Sequence, residues 1–289
     1  MMPYYLGISS KMSNPVETTI DDLTTRLPAV AGQFYPADPD RLRAEVSMLL
    51  AAAPRAAPSG RSKAIIAPHA GYRYSGQIAA AAFATLEGSA KSIERVVLIG
   101  PAHYVPFRGI AVPTANAFAT PLGRVPLNSD AHVALAALPG VQAADAPHAP
   151  EHALEVELPF LQVLLPRFTA VPLLVGEARP EEVAAVLDRL WGGSETLIVV
   201  SSDLSHFLDY ETAQRRDAGT AAAIERGAWA GLGPGDACGY LSIAGLLINT
   251  ARRGLKAQRL ALCNSGDTSG ERDRVVGYGV WLFEDAGLS

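Results

Sequence analysis

The sequence predicts a single three-layer α/β domain, with a mixed, largely parallel central sheet and helices on both faces. Three observations predict it. Short β-branched runs alternate with Ala/Leu-rich stretches along most of the chain. Two of those runs, Arg95–Gly100 and Thr196–Ser201, are continuously apolar, as strands buried on both faces of a parallel sheet are. No repeat, composition shift or long linker divides the 289 residues, and 49% hydrophobic with 18% charged residues suffices for one large core. The domain is expected over residues 26–289, after a poorly ordered leader over 1–25.

The elements follow in order. Asp38 can cap a helix that has Pro39 at its first position and runs to Ala53, with Leu42, Val46, Leu49 and Leu50 on one face. A Pro/Gly/Ser loop over Ala56–Arg61 precedes a strand at Lys63–Ala67 and an Ala-rich helix at Ser75–Leu86. Further strands are expected at Gly109–Pro113, Val171–Val175, Gln258–Leu262 and Val275–Phe283. The last alternates with period 2 and suits an edge or antiparallel position. Helices are expected at Asp130–Leu138, at Glu151–Leu165 with a kink at Pro159, and at Glu181–Trp191, Tyr210–Trp229 and Gly239–Arg252.

Composition also limits function. Twenty-four Lys+Arg against 29 Asp+Glu, without a basic cluster, argue against nucleic acid as a partner. Every apolar stretch is broken well short of the ~20 residues a spanning helix needs, so no membrane insertion is expected. The first residues lack a basic start and an apolar core, and with two cysteines, which a reducing compartment leaves as thiols, a cytoplasmic location is expected.

Ligands of open α/β sheets bind beyond the carboxyl ends of strands. Three of the six histidines sit there: His69 in Ala67-Pro-His-Ala-Gly71, His103 in Gly100-Pro-Ala-His103, and His206 in Ser201-Ser-Asp-Leu-Ser-His206. A lone buried imidazole bonded to a carbonyl would be unremarked, but three at strand ends point to a mononuclear metal site. Cys238, at an expected helix start, is the candidate third ligand, because unsatisfied amides and the helix dipole lower a thiol's pKa there. Cys263 reads as a small buried hydrophobe. His152 lies among acidic residues in His148-Ala-Pro-Glu-His-Ala-Leu-Glu155, where His148, Glu151 and Glu155 also read as a solvated, well-capped helix end. Asp203 is placed to orient His206 or to cap a turn.

Taken together, Arg26-Leu-Pro-Ala-Val-Ala-Gly-Gln-Phe-Tyr35, His69-Ala-Gly-Tyr72, Gly100-Pro-Ala-His103, Thr120-Pro-Leu-Gly123, Glu151-His-Ala-Leu-Glu155, Val199-Val-Ser-Ser-Asp203 with His206, and Cys238-Gly239 resemble the Memo family (mediator of cell motility). The resemblance is to its prokaryotic branch, AmmeMemoRadiSam system protein B, and spans nearly the whole chain. It implies a fold similar to the class III extradiol dioxygenases, with His69 and His103 as imidazole ligands and Cys238 in the place of the carboxylate. It further implies that His206 is an acid/base, that His152 shares the pocket, and that Tyr72 and Asp203 stand behind the ligands. A radical-SAM protein and a small third protein are the partners it implies.

Three functions fit these residues. The first is a redox, oxygenase-like enzyme with one Fe or Cu ion and a small, aromatic or phenolic substrate. The second is a zinc hydrolase on the same ligands, with His206 or Glu155 activating water. The third is a non-catalytic module whose cleft holds a peptide or a modified side chain.

Overall fold

The computed structural model describes residues 25–54 and 60–285. Residues 1–24 of the leader expected over 1–25 and most of the Ala56–Arg61 loop lie outside them, while Thr25 belongs to a short strand. In chain order the elements are β1 (Thr25–Arg26), α1 (Pro39–Ala52), β2 (Arg61–Ala67), α2 (Tyr72–Phe83), β3 (Arg95–Pro101), β4 (Ile110–Val112), β5 (Ala117–Thr120), β6 (Gly123–Pro126), α3 (Ser129–Leu135) and β7 (Val141–Ala143). There follow α4 (Leu158–Leu164), β8 (Thr169–Val175), α5 (Pro180–Leu190), β9 (Thr196–Ser201), β10 (His206–Leu208), α6 (Tyr210–Glu225), α7 (Tyr240–Arg253), β11 (Ala257–Asn264), α8 (Gly266–Ser269) and β12 (Val275–Asp285).

Among the described residues the main sheet runs β10-β12-β2-β9-β3-β8-β4-β7, with β11 also paired to β12. Its centre, β2-β9-β3-β8, is parallel, while β12 joins β2 and β4 joins β8 in antiparallel fashion. The sheet is therefore mixed and largely parallel at its core. Alternate residues of each central strand face different layers. Ile65, Val96, Leu98, Leu197 and Val199 pack with the α1, α2 and α4 side, and Ile66, Val97, Ile99, Ile198 and Val200 with the α5, α6 and α7 side. This two-sided burial is why those runs are continuously apolar.

Several boundaries differ from the sequence reading for identifiable reasons. Asp38 caps α1 as expected, accepting from Arg41 N at 2.9 Å. The helix expected over Glu151–Leu165 is instead an irregular segment, a short 3-10 turn at Glu155–Glu157 and then α4. Pro159 starts that helix rather than kinking one, as a residue without an N–H does best in a first turn. Gly227, with φ of 67°, follows the end of α6, so Trp229 falls in a separate 3-10 turn. Strand β12 is antiparallel as expected but lies inside the sheet, between β2 and the β10 and β11 strands. The hairpin β5-β6 and strands β1, β7 and β10, each two to four residues long, are too short to leave a readable period.

The N-terminal segment is fastened to the domain by one buried ion pair. The Arg26 guanidinium donates to Glu155 Oε2, to the carbonyl of Glu151, and through Nε to the carbonyl of His148 at 3.0 Å. Glu155, fully buried, also accepts from Ala29 N at 2.7 Å, Val30 N at 3.0 Å and the Tyr35 hydroxyl. The reading of His148, Glu151 and Glu155 as a solvated helix end is thereby corrected: all three are buried. Breaking such a pair from one side strands a buried charge, which costs about 3–5 kcal/mol. Arg26→Met is therefore expected to lower unfolding free energy by about that amount in urea titrations, and an unchanged midpoint would contradict the role given to the pair.

Burial pushes the His148 imidazole down to about 4. A depressed histidine contributes its full stability above the ordinary histidine pKa, and this is lost as pH falls from about 6.5 towards 4, where only the unfolded chain takes up the proton. His69 and His152 act in the same direction, so a variant comparison is needed. His148→Gln, which can still donate to the Ala111 carbonyl held by Nε2 at 3.1 Å, is expected to flatten the loss of stability over that window. An identical pH slope in both proteins would contradict this.

Candidate metal centre

Strands β2, β9 and β3 are neighbours, and Ala67 pairs with Ser201 where the first two end. Their next residues therefore emerge side by side: Pro68-His69 after β2, Ser202-Asp203 after β9, and Ala102-His103 after β3. The segment before α4 brings His152 in from the side. Ligand-type nitrogens of His69, His103 and His152 lie within 4.8 Å of one another, a group able to hold a metal ion. The rings of His103 and His152 stack at 4.8 Å, and His69 meets both edge-on.

Cys238 reaches the same place from the start of α7. Its Sγ lies 3.4 Å from His69 Nε2 and accepts from Asp203 N at 3.3 Å, while its own N donates to the Asp203 carbonyl at 3.2 Å. Gly239 permits this approach, since a Cβ there would meet Ser202 Cβ at 2.7 Å and the Ser201 carbonyl at 2.9 Å. The lowered thiol pKa expected at a helix start is corrected by the structure. Burial, then the charge of Asp203, push the thiol up to about 12. Desolvation outweighs the helix terminus here, so the thiolate that binds metal requires a cation beside it.

What stands behind the rings fixes which nitrogen is free. His103 Nδ1 lies 2.9 Å from Glu151 Oε1; the carboxylate accepts, so Nδ1 carries the hydrogen and Nε2 keeps its lone pair. Glu151 also accepts from the backbone N of His103, His152 and Ala153. Burial opposes its ionisation, yet the His103 ring and those N–H donors win and hold the carboxyl at about 2. His69 Nδ1 lies 2.7 Å from Ser201 Oγ, which turns its other ring nitrogen towards Cys238. Burial, then the neighbouring His103, hold His69 at about 3; burial, then His69, hold His152 at about 4. The His69 and His152 rings are thus neutral at ordinary pH.

The remaining predicted residues divide. Asp203 is buried and accepts from His69 N at 2.8 Å, so it shapes the His69 turn. His206 begins β10 outside the histidine cluster, close enough for its charge to act on His69 and Asp203. Phe207, next to it, holds a φ of 60°, a strained value for a non-glycine residue. Tyr72 is a core residue instead, donating to the Val156 carbonyl at 2.8 Å and packing on Phe160. Glu155 turns its oxygens to Arg26 and its neighbours rather than to the histidines.

Sequence reading missed the groups that hold the ligands: Glu151, Ser201 and, behind Ser201, Glu157. Their only signal was position, Ser201 as the first polar residue closing a core strand. It also missed the mouth of the site, where Tyr104 Oη lies 3.2 Å from His152 Nδ1 and the Phe34 ring packs on His152 at 4.8 Å. A cavity of about 530 Å³ opens beside Cys238, lined by Val105, Phe107, Tyr240 and Leu241 among others. A larger one, about 780 Å³, lies at the opposite ends of the strands near Arg95 and Thr169, far from these groups in the sheet.

Comparison with known proteins shows which family the chain belongs to. A family described as Memo-like protein matches residues 26–282. A MEMO1 family protein of Sulfolobus acidocaldarius is 32% identical over 90% of this chain and 99% of its own length. Relatives of the same description from Methanopyrus kandleri and Aeropyrum pernix are 34% and 36% identical, over 89% and 88% of this chain and 98% and 97% of theirs. The α/β domain with its mixed sheet is accordingly the family's dioxygenase-like fold. From the extent of the match and the identity over nearly the whole described domain, the chain belongs to the Memo family.

Proposed function

We propose that the chain is a metal-dependent, redox enzyme of oxygenase type, holding one Fe or Cu ion through His69, His103 and Cys238 and acting on a small aromatic or phenolic substrate. One observation carries the reading. A thiol stands 3.4 Å from an imidazole nitrogen of His69, one of a cluster of three histidines, and two of those rings have their other nitrogen tied away. That separation suits two ligands of one ion, and the set of soft sulfur with imidazoles suits Cu, Zn or an unusual Fe site better than a carboxylate triad does. When bound, the metal would supply Lewis acidity and electron transfer.

The chain's own residues do the rest. The cavity beside Cys238 is lined largely by apolar side chains that fit a flat hydrocarbon body. His206, at the start of β10, is the base that would take a hydroxyl proton from that substrate. His152, with Nδ1 accepting from the Tyr104 hydroxyl and its hydrogen on Nε2, would donate to a developing anion at the cluster. A radical-SAM protein and a small third protein remain the proposed partners, supplying or consuming this substrate. Among the described residues no helix is long and apolar enough to cross a membrane.

The zinc-hydrolase reading keeps the same ligands, but Glu155 is unsuited to activate water because Arg26, Tyr35 and two backbone N–H groups already occupy it. His206 is then the base it retains.

Metal analysis of protein purified without added metal or nickel, beside Cys238→Ala, tests the proposal. Near-stoichiometric Fe or Cu, lost in the variant and changing spectrum with oxygen, is expected. Stoichiometric zinc with no oxygen response would favour hydrolysis, and no metal under any loading would leave a binding module. Glu151→Gln, which keeps the shape but removes the charge behind His103, is expected to weaken metal binding by roughly 10–100-fold; an unchanged affinity would remove that carboxylate from the centre.

A further inference from the structure

Three polar neighbours crowd one hydroxyl beneath the histidine cluster. Ser201 Oγ lies 2.7 Å from the carbonyl oxygen of Ala153, 2.9 Å from Glu157 Oε1 and 2.7 Å from His69 Nδ1. Ser201, His69 and Glu157 are all buried. A serine hydroxyl has one hydrogen to give and two lone pairs to offer. The Ala153 carbonyl can only accept, so it must receive that single hydrogen. His69 and Glu157 must then each bring a hydrogen of their own, or two oxygens, or an oxygen and a nitrogen, would face each other at hydrogen-bond distance with nothing between them.

Glu157 has little else to hold a charge. Glu151, six residues earlier, accepts from three backbone N–H groups and the His103 ring. Glu157 is fully buried, touches Ser201 through one oxygen, and its Oε2 has no hydrogen-bond partner. Leaving a carboxylate so poorly donated to is far more costly than leaving the carbonyl oxygen of an acid unpaired. Burial, with the charge of Asp203 nearby, favours the protonated form in the same direction.

We propose that Glu157 is a neutral carboxylic acid at neutral pH that donates to Ser201 Oγ, keeping Ser201 aimed at Ala153 and its second lone pair on His69 Nδ1–H, so that the His69 Nε2 lone pair faces Cys238. Glu157 is thus a positioning residue acting through Ser201. It also makes the two strand-end histidines unlike: His103 gives its Nδ1 hydrogen to a carboxylate, which strengthens it as a donor to metal, and His69 gives its own to a neutral hydroxyl. The ligand role of His69 rests on the metal-site reading above; the protonation of Glu157 does not.

The test uses the full chain in two forms. In the metal-free protein with isotope-labelled glutamate, infrared spectroscopy at pH 7 is expected to show the C=O stretch of a protonated carboxyl that disappears in Glu157→Gln. Co(II) titration is then expected to give Glu157→Gln an affinity within about threefold of the unaltered protein, because the amide also donates to Ser201. Glu157→Leu, which has no donor, and Ser201→Ala are expected to bind Co(II) roughly 10–100-fold more weakly. The proposal is overturned by the absence of the protonated-carboxyl band, by Glu157→Gln binding as weakly as Glu157→Leu, or by Glu157→Gln failing to fold, since a neutral isostere should be accepted. An unaltered protein that binds no Co(II) would refute the metal reading alone, and the infrared band would then decide Glu157 by itself.

Discussion

The site depends on one constraint of the sheet: β2, β9 and β3 are adjacent, parallel and end together. Parallel strands present their carboxyl ends on one edge, and there the chain must change from a fully apolar interior to polar loops within a residue or two. Buried polar groups at that edge have to find partners in each other. Ser201 answers to His69, Ala153 and Glu157, Asp203 to the His69 amide, and Glu151 to His103, His152 and Ala153. The histidines are therefore aimed by the same bonds that let the sheet end in a buried place.

A second link ties the N-terminal segment to the centre. Arg26 holds Glu155 and the Glu151 and His148 carbonyls, so the segment from residue 26 to 35 is docked on the stretch that carries Glu151 and His152. The docked segment delivers Phe34 against His152 and its carbonyl to the Tyr72 amide at 2.8 Å, where α2 begins after His69. Loss of the ion pair would thus reach the site by loosening both the His152 stretch and the His69 turn. The Glu155 carboxylate is structural support for the centre, with its oxygens turned to Arg26, Tyr35 and the Ala29 and Val30 amides.

Much of this was legible in the sequence, and unevenly. Asp38-Pro39 marks α1 because capping is local chemistry, and the apolar runs of β3 and β9 mark the core because burial on both faces removes any alternation. His69 and His103 could be found because strand ends are readable and ligands gather there. His152, Glu151 and Glu157 could not be assigned in the same way: their segment is irregular, with acidic residues that imitate a solvated helix start while being buried by partners more than a hundred residues away in Arg26 or some forty away in Ser201. Cys238 was found for a reason that the structure reverses, since burial rather than the helix terminus dominates its thiol.

The central claim is that one ion is held by sulfur and imidazole together. X-ray absorption at the metal edge of the protein as purified tests it most directly. The account predicts a single sulfur scatterer, at about 2.3 Å if the ion is zinc, with two or three imidazole nitrogens and no second metal. A first sphere of oxygen and nitrogen alone, with Cys238 present and reduced, would contradict it.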